Sequence, residues 1–333
     1  MVSSKLRVAI LDDFEGWLAG HPAIRALHDQ VELTVFREPL RADAAARLAP
    51  FDGVCLVRER TPFPASLIES LPGLRYLAFT GARNPSCDQQ AAAARGIPVS
   101  NTAGGPSKQS TAELAWALAL AAEKRLVAAD GGARAGHWRS DSQGRPYSLP
   151  GMLEGKTLGL LGLGEIGRIV AGFGRAFGMR VIAWSPNLTE ERAKAGGAEP
   201  VAPESLFAQA DVLSIHLVLA ASTRGIVGAA ELAAMKPGSV LVNTSRAGLI
   251  DMAALLAALR QGRPGYAGLD VFENEPLAVD EPVLAAPNLT LAPHLGYVND
   301  RVFEVFAAGL AEVIASWARG QPVRVVNGVE VQA

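Results

Sequence analysis

Thr157-Leu158-Gly159-Leu160-Leu161-Gly162-Leu163-Gly164-Glu165-Ile166-Gly167 is the stretch that decides the fold. The run 157–161 reads as a buried strand, and a helical pattern follows over 166–177. Between them lies G-x-G-x-x-G, in which each glycine has its own physical reason. Gly162 permits the tight turn, Gly164 lets a phosphate approach the backbone, and Gly167 lets helix and strand pack closely. The free N–H groups at the start of the helix then face a pyrophosphate with partial positive charge. In a chain with 34 glycines the pattern alone says little. A strand before it and a helix after it are the context that makes it a dinucleotide site.

Working outward from this loop, further apolar runs at 180–184, 211–215, 239–243, 266–271 and 289–292 read as strands, with helical stretches at 230–235 and 252–261. Six strands in this alternation predict a parallel, dinucleotide-binding sheet. The strand 180–184 ends at Ser185, where an acidic residue usually binds the ribose hydroxyls of NAD. Arg192 and Lys194 downstream either reach a 2′-phosphate or line a solvated helix face. Towards the N-terminus, 5–11, 31–36, 53–57 and 74–79 read as a second set of strands, with helices at 42–49 and 65–70 between them. Residues 101–107 form a turn cluster and act as a hinge before a long helix from about 110. The polar stretch 136–151 reads equally as an arm or as a surface loop. A closing amphipathic helix at 300–319 and a short strand at 323–326 complete the pattern. The fold class is α/β, with two doubly wound parallel-sheet domains.

The bulk numbers agree. A chain of 333 residues exceeds what one core usually supports. Hydrophobic residues make up 49% and charged residues 19%, so the chain is globular. A formal net charge of −2 gives no footprint for nucleic acid or an anionic membrane. No run approaches the length of a membrane helix, and the opening residues lack the apolar core of a signal peptide. Cys55 and Cys87 form neither a disulfide framework nor a metal-ligand spacing, so no metal is expected and a reducing, cytoplasmic location is.

Three motifs end the later strands: Asn243-Thr244-Ser245-Arg246-Ala247-Gly248, Asp270-Val271-Phe272-Glu273-Asn274-Glu275-Pro276 and Ala292-Pro293-His294-Leu295-Gly296-Tyr297. In an open α/β sheet that edge binds ligands. Hydride transfer to a ketone builds negative charge on oxygen, so a proton donor must stand near, and an imidazole suits that task. Glu275 is placed to hold the ring of His294 and favour its protonated form. Arg246 can grip a carboxylate with two parallel hydrogen bonds and polarise the adjacent carbonyl.

On these motifs the sequence resembles the D-isomer-specific 2-hydroxyacid dehydrogenases, the family of D-3-phosphoglycerate dehydrogenase and of glyoxylate and hydroxypyruvate reductases. The likeness covers nearly the whole chain, most specifically 160–167, 243–251, 268–276 and 293–296. It implies that Arg246, Glu275 and His294 are the catalytic triad. It implies cofactor contacts by Gly162, Gly164, Glu165, Ile166, Gly167, Ser185, His216, Leu217, Thr111, Thr244, Asp270 and Gly296. The loop with Gly81 and Ala82 would hold the substrate carboxylate through backbone N–H groups, and Arg58, in Arg58-Glu59-Arg60-Thr61, would either reach the substrate or belong to a surface charge cluster. A Rossmann cofactor domain, 104–295, would be inserted into a flavodoxin-like substrate domain, 1–103 with 296–333. NAD is the expected cofactor, with NADP left open, and a homodimer through the cofactor domains is the expected assembly. Four positions depart from the pattern: Ala247 where Gly is frequent, Tyr297 where small residues are common, Ser185 in place of an acid, and Glu59, which argues against a substrate phosphate.

The expected reaction is hydride exchange between a nicotinamide cofactor and a small D-2-hydroxy acid or 2-keto acid. The other reading is an NAD(H)-sensing regulatory protein on the same fold, which an intact triad disfavours. Formate oxidation is disfavoured because the resembling formate enzymes carry Gln at the position of Glu275.

Overall fold

The computed structural model describes residues 5–330. The chain divides into two compact units, Met1–Pro106 with Asn299–Ala333, and Ser107–Val298.

The first unit is built on a five-stranded sheet in the order β2-β1-β3-β4-β5, all parallel. Its strands are β1 (Arg7–Ile10), β2 (Glu32–Val35), β3 (Gly53–Leu56), β4 (Tyr76–Phe79) and β5 (Val99–Asn101). β3 and β4 are buried at every residue, as expected when both faces of a parallel sheet are covered. One cover is the closing helix Asp300–Ala318, capped by the Asn299 side chain on the N–H of Val302. It lays Trp317 flat on Tyr76, with ring centroids 4.6 Å apart and planes 8° from parallel. β5 was not foreseen, since only three residues of it pair. The expected strand at 323–326 is instead an isolated antiparallel bridge between Ser100 and Val325. Arg324 has φ +54°, a left-handed turn that an extended strand cannot contain.

The second unit carries a seven-stranded parallel sheet, β12-β11-β10-β9-β6-β7-β8. Here β6 is Thr157–Leu161, β7 Arg180–Trp184, β8 Glu199–Pro200, β9 Val212–Ile215, β10 Val240–Asn243, β11 Tyr266–Leu269 and β12 Leu289–Leu291. The expectation of six strands is short by β8, whose two exposed residues carry no apolar pattern. β11 and β12 end earlier than their apolar runs because the chain turns away to form the site described below. The long helix begins at Ser107 and runs to Glu123. Its small Ala112, Ala115 and Ala119 are buried, so it lies close on the sheet, and a Cβ at Gly268 of β11 would meet Leu118 at 2.9 Å. β6 lies between β7 and β9, so the chain direction across the sheet reverses there. That reversal opens a crevice at the C-terminal strand ends. No helix among the described residues is long and apolar enough to cross a membrane.

Candidate active site

The glycine loop leaves β6 at this crevice. Gly162 has φ +106°, and a Cβ there would meet the carbonyl of His216 at 2.7 Å. At Gly167 a Cβ would lie 2.3 Å from the Gly162 oxygen. Both positions therefore admit only glycine. Gly164 differs: it caps the helix Glu165–Ala176, and nothing lies within 4 Å of where its Cβ would be. The space in front of Gly164 is open, and the first N–H groups of the helix, those of Glu165 and Ile166, have no carbonyl within their own helix to bind. Glu165 pairs with Lys108 from the first turn of the long helix.

Ser185 follows β7 directly and is half-buried. The turn beyond it is tied back by Leu188 N–H to the Ser185 carbonyl at 3.0 Å. Arg192 donates to the Asn187 carbonyl at 2.9 Å, which brings its guanidinium to this turn; Lys194 is exposed on the following helix. His216 and Leu217 follow β9. The Nε2 of His216 is 2.9 Å from Ser214 Oγ, while Nδ1 is buried without a partner. Burial pulls this imidazole down to about 4, so it is neutral at physiological pH. Thr244, after β10, is buried with its hydroxyl unpartnered. Thr111 Oγ1 donates to the Gly296 carbonyl at 3.0 Å, joining the long helix to the segment after β12. An open glycine approach, a helix start and two orphaned buried polar atoms at adjacent strand ends fit a dinucleotide. Bound there, NAD(H) would be held by the glycine loop at its phosphates and by the Thr111, Thr244 and Asp270 region towards its nicotinamide end.

The three motif residues converge on the same edge. Asn243 closes β10 and braces the next turn, donating to the Arg246 carbonyl at 3.0 Å and accepting from the Ser245 N–H at 2.9 Å. That turn presents Arg246 to solvent, and its charge is felt at Glu275. Glu275 accepts the Phe272 N–H on Oε1 at 2.7 Å, and its Oε2 lies 2.5 Å from Nδ1 of His294. Burial alone would raise the Glu275 carboxyl, but His294, the Phe272 N–H and Arg246 together hold it below its ordinary value. His294 adopts φ +56°. Asp270 accepts the N–H groups of Leu295 and Gly296 at 2.6 and 3.0 Å, fixing the backbone just past the histidine. Burial raises the Asp270 carboxyl to about 6 against these hydrogen bonds and the charge of His294. Tyr297 is buried with its ring edge-on to the imidazole.

On the first unit, Arg58 follows β3 with φ +54°, donates from Nη1 to the Thr80 carbonyl at 3.3 Å and pairs with Glu59. Its guanidinium occupies the space over Gly81 that a Cβ would need. The expectation that Gly81 offers its N–H to a carboxylate needs correcting, because that N–H already donates to Thr102 Oγ1 at 2.9 Å. Ala82 is exposed, and its N–H makes no hydrogen bond among the described residues. Sequence reasoning missed Thr102, Ser214 and Lys108, and gave Asn243, though quoted in its motif, no role of its own. Of these only Asn243 left a signal, as a polar residue closing an otherwise apolar strand.

Residues 116–296 match the family described as D-isomer specific 2-hydroxyacid dehydrogenase, NAD binding domain. The chain is 42% identical over 264 residues to a glyoxylate reductase of Aeropyrum pernix, covering 78% of each. It is 39% identical over 273 residues to a D-3-phosphoglycerate dehydrogenase of Mycobacterium leprae, covering 82% of this chain and 50% of that one. A solved structure of a phosphoglycerate oxidoreductase from Vibrio cholerae superposes with a TM-score of 0.87 at 38% identity, covering 94% of this chain and 99% of that one.

Proposed function

The chain belongs to the D-isomer-specific 2-hydroxyacid dehydrogenase family, an NAD-binding oxidoreductase family, and from that premise we propose that it reduces a small, unphosphorylated 2-keto acid to the D-2-hydroxy acid with His294 as proton donor. The observation that carries this reading is the 2.5 Å contact between His294 Nδ1 and Glu275, with the carboxylate itself anchored by the Phe272 N–H. With Nδ1 engaged, Nε2 is the ring's remaining proton site, the atom proposed to give the proton up. NADH, when bound, supplies the hydride. Arg246 binds the substrate carboxylate and polarises the carbonyl, and its charge offsets that growing on the oxygen. On the first unit, the Ala82 N–H and the Arg58 guanidinium are the proposed substrate contacts. In the reverse direction His294 accepts the hydroxyl proton at the same atom.

Glu59 supports an unphosphorylated substrate. Its carboxylate lies 3.3 Å from Arg58 Nη2, so the cation nearest the Gly81 turn is already paired with an acid. Glyoxylate and hydroxypyruvate are the proposed substrate types, the first in keeping with the name of the Aeropyrum relative, a glyoxylate reductase. Ser185 carries no charge to repel a 2′-phosphate and Arg192 is at the same turn, so discrimination of NADH over NADPH is proposed to be small. A homodimer is proposed through the second unit, where Leu126, Val127, Trp138, Leu149 and Met152 are exposed apolar side chains. A cytoplasmic location is part of the same reading.

The test is a panel of 2-keto acids, among them glyoxylate, hydroxypyruvate, phenylpyruvate and phosphohydroxypyruvate, each with NADH and NADPH and followed at 340 nm. Turnover of an unphosphorylated acid that is lost in His294→Ala supports the proposal. A parent inactive on every acid, or His294→Ala as fast as the parent, overturns it.

A further inference from the structure

The imidazole of His294 is restrained in three ways, and the acid–base reading uses only two. Glu275 takes Nδ1, and Asp270 fixes the backbone of the two residues that follow. The third restraint is Tyr297, whose ring centroid lies 5.7 Å from that of His294 with the planes at 72°. That is the edge-to-face arrangement which aromatic quadrupoles favour. Tyr297 is 8% exposed, so its ring lies among protein neighbours and not in solvent.

A single hydrogen bond at Nδ1 fixes a distance but not a plane. The ring can still turn about its Cβ–Cγ bond within the reach of that hydrogen bond, and such a turn carries Nε2 sideways. The backbone gives little help. At φ +56° His294 is in a region few L residues occupy, and such a residue holds its geometry only where its neighbours impose it. The Tyr297 ring is the neighbour that acts on the imidazole plane.

We infer that Tyr297 is a positioning residue: its aromatic ring sets the plane of the His294 imidazole and so the direction in which Nε2 presents its proton. The inference rests on His294 being the proton donor. The contact to the imidazole is made by the ring, so the inference assigns this role to the ring and not to the phenolic hydroxyl. A sub-ångström drift of a proton donor is felt in turnover, because the transition state needs the near-attack geometry and cofactor binding does not.

The experiment compares Tyr297→Phe, Tyr297→Leu and Tyr297→Met in the full chain, with His294→Ala as reference. It reads kcat and KM for the best keto acid of the panel, NADH Kd by fluorescence, and thermal stability. Tyr297→Phe is expected to keep kcat within about 2-fold. Tyr297→Leu is expected to lose roughly 10-fold in kcat, with KM and NADH Kd changed less than about 3-fold. Tyr297→Met fills a similar volume flexibly, and it carries the test if the leucine variant does not fold.

Full kcat in the leucine or methionine variant, with His294→Ala inactive, overturns the positioning role and leaves the acid–base reading standing. A change in KM alone, with bulkier keto acids newly accepted, also overturns it, since Tyr297 would then be a pocket wall. A phenylalanine variant as slow as the leucine variant does the same by placing the role in the hydroxyl. His294→Ala as fast as the parent, or a parent inactive on the whole panel, sinks the positioning role together with its premise.

Discussion

Gly164→Ala separates cofactor binding from folding. The backbone at Gly164, φ −79° and ψ −158°, is extended and open to alanine, and the added methyl meets nothing within 4 Å. The fold therefore has no reason to object. A phosphate approaching the N–H groups of Glu165 and Ile166 does, because the methyl projects into the space it must enter. Losing one charge-assisted hydrogen bond there costs about 1.5–3 kcal/mol, or roughly 10- to 150-fold in Kd. Gly167→Ala is the counter-case. Its Cβ would stand 2.3 Å from a backbone oxygen, so strand and helix must part. Overpacking of that kind costs about 1–3 kcal/mol or more, which lowers Tm by several degrees in a unit this size. NADH Kd by fluorescence titration and Tm by scanning calorimetry read the two effects separately. Gly164→Ala should keep Tm within about 2 °C and lose affinity, while Gly167→Ala should lose both. Parental NADH affinity in folded Gly164→Ala would refute the phosphate assignment of this loop.

Three further outcomes are expected. Glu275→Gln keeps the shape of the contact to His294 but removes its charge; a charge-assisted hydrogen bond is worth about 1.5–3 kcal/mol, so kcat/KM should fall roughly 10- to 150-fold with NADH Kd unchanged. Ser185→Asp places a negative charge at the turn expected to face the ribose, so the ratio of NADPH to NADH efficiency should drop at least about 10-fold; an unchanged ratio would show that Ser185 does not face the ribose. Asp12 is buried, and burial holds its carboxyl above the ordinary value against the lowering influence of Thr61 and Arg60 beside it. The folded chain thus binds this proton more tightly than the unfolded chain, and the stability the proton confers is lost as pH rises through the folded value. Asp12→Asn should accordingly melt higher than the parent at pH 7, with the gain vanishing towards pH 4 in a pH series of melts.

Most of the site was legible because its residues are fixed by local rules. Gly162 and Gly167 are demanded by close backbone approach, and Arg246, Glu275 and His294 each fall just past a strand whose apolar run announces its end. What stayed hidden depends on partners distant in the chain. Nothing near Gly81 shows that Thr102 takes its N–H, since the two meet only when β4 and β5 pair. Nothing near Asp270 shows that its carboxylate serves the amides of Leu295 and Gly296, 25 and 26 residues on. β8 escaped because Glu199 and Pro200 have neither alternation nor burial to reveal a strand. Asp12, in the run Leu11-Asp12-Asp13, looks like an exposed turn, and only the packing around it makes it a buried acid.

The first unit is assembled from both ends of the chain, and this bears on how the protein is born. A ribosome delivers residues 5–106 first, with β1 to β5 ready to pair. The helix that covers β4 and stacks Trp317 on Tyr76 is made only after residue 299. For that whole interval the nascent sheet lacks this cover and shows apolar surface to water, while Ser107–Val298 already holds every segment of its own compact unit. The early segment must wait, unfinished, until Asp300–Ala318 has been made. A chain cut short before Asp300 would therefore leave a sound second unit tethered to a sticky, incomplete first one, the kind of product that chaperones and proteases recognise.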